Sequence, residues 1–160
     1  SRGMSSMEPT GQLPLALRAA YMAMHRCSDL QFAKFGVTAD QFVLLATLAR
    51  GNAMTQRELA ARMPSDPSTV RAMLVLLEER GFVEREVSPS DARAKTVTLT
   101  ESGLKKYRQV WKAGQSIREQ MVSSLSEKET ESLVRLLESV SKSLADPAFG
   151  TAIGSTENEE

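Results

Sequence analysis

The sequence predicts a mainly α-helical fold that carries one small β-hairpin. Apolar residues recur every three or four positions through most of the chain, which is the period of an amphipathic helix. Capping residues and glycines divide this pattern into separate helices. Between Val83 and Thr100 the period changes to two, which is typical of β-strands.

Size and composition favour one folded unit. The 160 residues carry 20 basic and 20 acidic side chains, and Cys27 is the only cysteine. We expect one unit over residues 13–145, preceded at 1–12 by a tag remnant and flexible N-terminus and followed at 146–160 by a mobile acidic tail. A single cysteine suits the reducing cytoplasm, and no apolar run reaches the roughly 18 residues of a membrane span. We therefore expect a cytoplasmic protein with no membrane partner.

The helices before the hairpin have recognisable start and stop signals. A first helix is predicted from Leu13 to Phe35 and a second from the capping box of Thr38 and Gln41 to Gly51. Thr55 and Glu58 have the same capping spacing, which predicts a short third helix that ends before Pro64. A fourth helix begins at Asp66 and Pro67, ends at Gly81, and has one apolar stripe. The stripe comprises Val70, Met73, Leu74 and Leu77.

The remaining segments predict a hairpin followed by two helices. Strands are expected at Val83–Val87 and Thr96–Thr100, joined by a polar loop that contains Pro89. A long helix is predicted from Glu101 to Ser124, and Ser126 with Glu129 caps a last helix.

Helix, short turn, helix and hairpin between Thr55 and Thr100 form the layout of a winged helix-turn-helix. Ser68, Thr69 and Arg71 near the start of the fourth helix can contact bases or phosphates. The helix starts at Thr55, Gln56 and Asp66 offer backbone N–H groups to phosphates. The alternative that Ser68 and Thr69 only form a capping turn stays open. Net charge gives no support to DNA binding, because it is zero.

Four segments together resemble the MarR family of bacterial regulators: ADQFVLLATLARG, MTQRELAARM, DPSTVRAMLVLLEERGFVERE and SPSDARAKTVTLTESG. The resemblance covers about residues 37–104. Family wings resemble Asp-Arg-Arg-Ala-Lys, and Ala92 departs from this pattern. The resemblance implies that Arg93 enters the minor groove, that Asp91 orients it, and that Lys95 belongs to the same DNA contact.

The resemblance also implies the assembly and the regulation. It places a winged helix-turn-helix at about 37–103 between N- and C-terminal dimerisation helices at about 13–35 and 104–145. The expected protein is a homodimeric, sequence-specific regulator, a repressor on a palindromic double-stranded operator. Family members often bind small aromatic acids, so we expect relief of repression by an aromatic or phenolic ligand.

A ligand site and two other functions remain as hypotheses. Arg18, Tyr21 and His25 share one helix face and, with Trp111, could bind an aromatic carboxylate, although packing or surface roles are the common alternative. Cys27 beside Arg26 could instead make the protein an oxidant sensor. The winged helix could also bind protein rather than DNA. The sequence has no catalytic, metal or cofactor motif, so we expect no enzyme activity.

Overall fold

The computed structural model describes residues 8–51, 53–63, 65–87 and 95–155. The described residues form eight α-helices, a single 3₁₀ turn and three β-strands. In chain order these are α1 (Pro9–Phe32), the 3₁₀ turn (Ala33–Phe35), α2 (Ala39–Arg50), β1 (Met54–Thr55), α3 (Gln56–Arg62), α4 (Pro67–Glu79), β2 (Val83–Val87), β3 (Lys95–Leu99), α5 (Glu101–Ala113), α6 (Gln115–Met121), α7 (Glu127–Leu144) and α8 (Pro147–Ser155).

The chain divides into two compact units, residues 1–118 and 119–160, where the sequence analysis expected one unit as far as residue 145. The first unit contains all three strands and the helices from α1 to α5. Both candidate functional regions predicted from the sequence fall within this first unit.

Helix α1 begins earlier than predicted. It starts at Pro9 rather than Leu13, so residues 9–12 are helical and do not belong to a flexible terminus. Proline suits the first turn of a helix, where its missing N–H has no intrahelical partner. The Glu8 carbonyl accepts hydrogen bonds from the N–H groups of Gly11 and Gln12, which closes that first turn.

The core of the first unit is formed by α2, α3, α4, α5 and the sheet. The predicted stripe on α4 is buried, which confirms the period read from the sequence. Side chains with less than 2% exposure come from every one of these elements. They are Leu44, Leu45, Leu59, Val70, Leu74, Leu77, Val83, Val97 and Val110.

The sheet has an additional strand that the sequence analysis did not predict. β1 pairs antiparallel with β3, and β3 pairs antiparallel with β2, so the order is β1-β3-β2. Two residues are too few to show a period of two, which is why β1 was missed. The register places Met54 opposite Val97 and Val83 opposite Leu99, so the hairpin stem is anchored in the core.

The long helix predicted from Glu101 to Ser124 is divided into α5 and α6. The break lies at Gly114, the C-cap of α5. In a continuous helix the Trp111 carbonyl would accept from the N–H four residues later. Here the Arg118 guanidinium donates to that carbonyl at 2.8 Å, as does the Gly114 N–H at 3.2 Å.

Residues 119–160 form the second unit. The capping box of Ser126 and Glu129 starts α7, as predicted. The expected mobile tail is helical over Pro147–Ser155, because Asp146 accepts the Ala148 N–H at its side chain and the Gly150 N–H at its carbonyl. Large apolar side chains on α7 and α8 are exposed. They are Leu133, Val134, Leu136, Leu137, Leu144, Phe149 and Ile153.

Across the described ranges, no single helix is both long and apolar enough to cross a membrane. Residues Pro9–Phe35 and Ala39–Arg50 meet that criterion only as a pair, and the pair is bent by 81°. The second of these helices supplies buried core residues such as Leu44 and Leu45.

Candidate DNA-binding interface

Helix α4 has one buried face and one exposed face. Because its apolar stripe packs into the core, the opposite face is open to solvent along the helix. Ser68, Ala72 and Val75 form the centre of the open face, since positions i, i+4 and i+7 lie nearly in line on a helix. This is the face that α4 can present to a binding partner.

Asp66 holds the start of α4 through three hydrogen bonds. The Ser68 hydroxyl donates to the carboxylate at 2.5 Å, the Thr69 N–H at 3.0 Å and the Thr69 hydroxyl at 2.8 Å. Together these bonds lower the pKa of Asp66 well below its ordinary value, and the bond from Ser68 contributes most. The cap is therefore ionised throughout the neutral range.

The cap changes what Ser68 and Thr69 can do. Each hydroxyl has one proton, and in both residues that proton is donated to Asp66. In this arrangement the hydroxyls retain only acceptor capacity, so they match amino groups on base edges rather than phosphate oxygens. Ser68 and Thr69 therefore do form the capping turn that the sequence analysis left open as an alternative. Both side chains are also exposed, so capping does not remove them from contact with a binding partner.

Arg71 is exposed on the first turns of α4. Its position lies between the open centre of the helix and the side that carries Glu78. A guanidinium there can reach either a guanine edge or a phosphate, as the sequence analysis expected.

An ion pair joins α4 to the hairpin. Arg85 on β2 donates from Nε to one Glu78 oxygen at 3.1 Å and from Nη2 to the other at 2.8 Å. This bond lowers the pKa of Glu78, and Glu78 raises the pKa of Arg85. The Arg85 side chain is only 15% exposed, so the pair fixes the hairpin stem against α4.

The start of α3 is less accessible than the start of α4. Thr55 pairs with Thr96 in the sheet, and its side chain accepts the Glu58 N–H at 3.0 Å. The reciprocal bond of a capping box, from the Thr55 N–H to the Glu58 side chain, is not part of this cap. The side-chain oxygen of Gln56 is buried without a hydrogen-bond partner among the described residues. Both residues are half-buried, so Ser68, Thr69 and Arg71 are the more open of the predicted contacts.

Of the three predicted wing contacts, Lys95 is the one that the structure describes. Lys95 is exposed at the first position of β3, opposite Val87, and its charge contributes to the lowered pKa of Glu78. Asp91, Ala92 and Arg93 lie outside the described residues. Their DNA contacts stay a prediction from the resemblance.

The predicted ligand residues belong to two groups of contacts. Tyr21 and His25 have ring centroids 5.7 Å apart, and His25 lies between two carboxylates, 3.4 Å from Asp29 and 3.2 Å from Asp40. Asp29 also accepts the Ala39 N–H at 2.7 Å. This group ties α1 to the N-terminus of α2.

Trp111 belongs to a different cluster. Its ring stacks with Phe42, lies 6.4 Å from Tyr107 and is covered by the Arg118 guanidinium at 3.9 Å. Arg18 is exposed on α1, two turns before His25. Two open clefts, of about 380 and 460 Å³, are lined by residues other than these four.

Sequence reasoning missed several residues of the interface. Arg85 was expected only as part of the strand Val83–Val87, because the fold alone brings Glu78 to it. Ala72 and Val75 were left out of the predicted contacts, although their spacing from Ser68 marks the centre of the open face. Helical periodicity already predicts that Ala72 faces solvent near the start of this helix, and the same periodicity, continued along the polar side, would have found Val75.

A buried helix stripe, an open recognition face and a hairpin held against the same helix define a winged helix DNA-binding protein. The profile of the MarR family matches residues 37–95. The chain is 31% identical over 101 residues to the transcriptional regulator HosA of Escherichia coli, covering 63% of this chain and 75% of HosA. It is 29% identical over 117 residues to the transcriptional repressor MdtR of Bacillus subtilis, covering 73% and 76%.

The same relationship holds in three dimensions. A mutant MarR of E. coli complexed with operator DNA is 26% identical, with a TM-score of 0.73 over 80% of this chain and 92% of that one. This chain belongs to the MarR family. It is a transcriptional regulator that binds DNA and is not an enzyme, as the sequence predicted.

Proposed function

We propose that this protein is a homodimeric repressor that binds a palindromic operator through α4 and the wing. The observation that carries the proposal is the open face of α4, flanked by Arg71 and held to the hairpin by the pair of Glu78 and Arg85. In such a complex α4 lies in the major groove, while Arg93, oriented by Asp91, enters the minor groove. The relative MdtR, which is named a repressor, supports the direction of control.

Binding of the protein to the DNA upstream of its own gene tests this proposal. Fluorescence anisotropy with labelled duplexes should give sequence-dependent binding by the full chain. Arg93→Ala should weaken it at least tenfold, since the wing then loses its minor-groove contact. Arg108→Ala, which removes an exposed arginine of α5, is the matched control and should leave affinity unchanged. If the two variants bind equally well, the wing does not contact DNA as proposed.

A second part of the proposal concerns dimerisation. Large apolar side chains are exposed on α1 in the first unit and, separately, on α7 and α8 in the second unit. Burying them against a second copy explains their exposure in one chain. A twofold dimer then presents two copies of α4 to two half-sites about one DNA turn apart.

The effector we propose is a small aromatic carboxylate. Tyr21 and His25 offer a ring pair, and Arg18 on the same helix offers a cation. Isothermal titration with benzoate and salicylate should show heat for the wild type and a loss of that heat for His25→Ala. Equal heats for both proteins would remove His25 from the site.

Oxidant sensing through Cys27 is a second candidate, because Cys27 is a free and exposed thiol. Peroxide should then abolish DNA binding by the wild type and not by Cys27→Ser. Equal responses of the two proteins would eliminate this function.

A further inference from the structure

The centre of the exposed face of α4 is small and apolar. Ser68, Ala72 and Val75 lie within about 60° of one another around the helix axis. Val75 is 38% exposed although it is a large apolar residue. The cation of the helix, Arg71, lies to one side of this line rather than on it.

We propose that Ala72 and Val75 determine operator specificity by packing against the 5-methyl groups of thymine in the major groove. This inference rests on the proposed function, in which α4 is the recognition helix. Thymine is the base whose major-groove edge carries a methyl group, and alanine is one of the side chains that contact it.

The neighbouring polar group, the Ser68 hydroxyl, can contact the same adenine-thymine pair. The Ser68 hydroxyl donates its proton to Asp66, which leaves an acceptor on the line. An acceptor matches the amino group of adenine, the partner of thymine, or that of cytosine. The line itself carries no guanidinium or ammonium group that could bind guanine O6 and N7. The two apolar side chains then favour the adenine-thymine pair.

Glu79 limits the extent of this contact. It continues the line one turn after Val75 and is exposed. A carboxylate there repels the DNA phosphates, so the base contacts are confined to the part of α4 that precedes Glu79. The specificity surface is therefore Ser68, Ala72 and Val75.

Uracil substitution tests the inference directly. The full chain selects binding sites from a pool of random duplexes, and each thymine of the selected site is then replaced by deoxyuridine, which removes only the methyl group. We expect affinity to fall about fourfold at each contacted thymine. Val75→Ser should bind the thymine and uracil duplexes equally at the position that Val75 contacts, and Ala72→Ser should do so at its own position.

Leu76→Ala is the matched control, because Leu76 is 50% exposed on the same helix but lies about 100° from Val75. It should keep the wild-type ratio of the two affinities. Equal wild-type affinity for thymine and uracil at every position, or loss of the ratio in Leu76→Ala alone, would overturn the inference while sequence-specific binding stands. A pool with no enriched sequence would contradict the proposed function and this inference together.

Discussion

At the start of α4 a single carboxylate sets both the helix boundary and the chemistry of its neighbours. The sequence predicted Asp66 as the N-cap, because aspartate followed by proline is a typical helix start. It did not predict that the protons of Ser68 and Thr69 are both donated to that carboxylate. Those bonds depend on side-chain rotamers, which the order of residues alone does not determine.

The lowered pKa of Asp66 predicts how the cap responds to acid. A group whose pKa is lower in the folded state stabilises the fold above its unfolded pKa, about 3.9 for aspartate, and loses this contribution as the pH falls through the folded value. Asp66→Asn keeps a good capping residue but removes the titration. The difference in Tm between the two proteins, followed by circular dichroism, should shrink below about pH 4. A difference that stays constant from pH 7 to pH 2 would be inconsistent with the cap described.

Gly103 is required by a close approach between α5 and the turn that joins α4 to β2. A Cβ on Gly103 would lie 2.0 Å from the Phe82 carbonyl oxygen, and Thr100 donates to the adjoining Gly81 carbonyl at 2.6 Å. Gly103→Ala should therefore lower the free energy of unfolding by about 1–3 kcal/mol. Urea titration measures this.

The control for that substitution is Gly150→Ala on α8. A Cβ on Gly150 meets nothing within 4 Å, and alanine favours a helix. Its stability should be equal or higher. If the Gly103→Ala protein were as stable as the wild type, the backbone at residue 103 could move away from Phe82 without loss of stability.

Among the secondary-structure elements, those with capping residues were predicted best. The boundaries of α2 and α4 follow from their caps, and the buried stripe of α4 follows from its period. The break at Gly114 and the strand β1 were missed for different reasons. The first depends on Arg118 reaching the Trp111 carbonyl, and the second depends on a partner strand about 40 residues later in the sequence.

The pair of Glu78 and Arg85 predicts an effect on DNA binding that charge alone does not. Glu78→Gln and Glu84→Gln each remove one negative charge, but Glu84 is exposed on β2 and Glu78 holds Arg85. Glu84→Gln should raise affinity slightly, whereas Glu78→Gln should lower it severalfold because the wing is less well fixed. Thermal unfolding should change little, since partly exposed pairs contribute up to about 1 kcal/mol. Equal increases in affinity would show that the pair does not position the wing.

At the scale of the whole molecule, dimerisation is the main prediction. Leu136 on α7 is 53% exposed, and we place it in the dimer interface. Leu136→Lys should weaken self-association at least tenfold, because it puts a charge into an apolar contact. Leu76→Lys, on α4, should not. Sedimentation velocity of both proteins distinguishes these outcomes, and a dimer unchanged by Leu136→Lys would place the interface elsewhere.

The candidate ligand site shows the limit of reading one helix at a time. Spacing on α1 placed Tyr21 near His25, which the structure confirms. Asp40 comes from another helix, so no spacing rule connects it with His25. Arg118 lies seven residues after Trp111 but beyond the break at Gly114, and its guanidinium nevertheless covers the Trp111 ring. Such contacts between elements require the tertiary fold.

Because the net charge of the chain is zero, DNA binding requires a local arrangement of cations, which we place on α4 and the wing. The most direct test is the affinity of the full chain for its selected duplex as potassium chloride rises from about 50 to 200 mM. The logarithm of the affinity should fall linearly and steeply with the logarithm of the salt concentration. Arg71→Ala and Arg93→Ala should each reduce this slope by about 1 for every phosphate contact that is lost in each half of the dimer. A flat salt dependence, unchanged by either substitution, would contradict DNA binding through these cations.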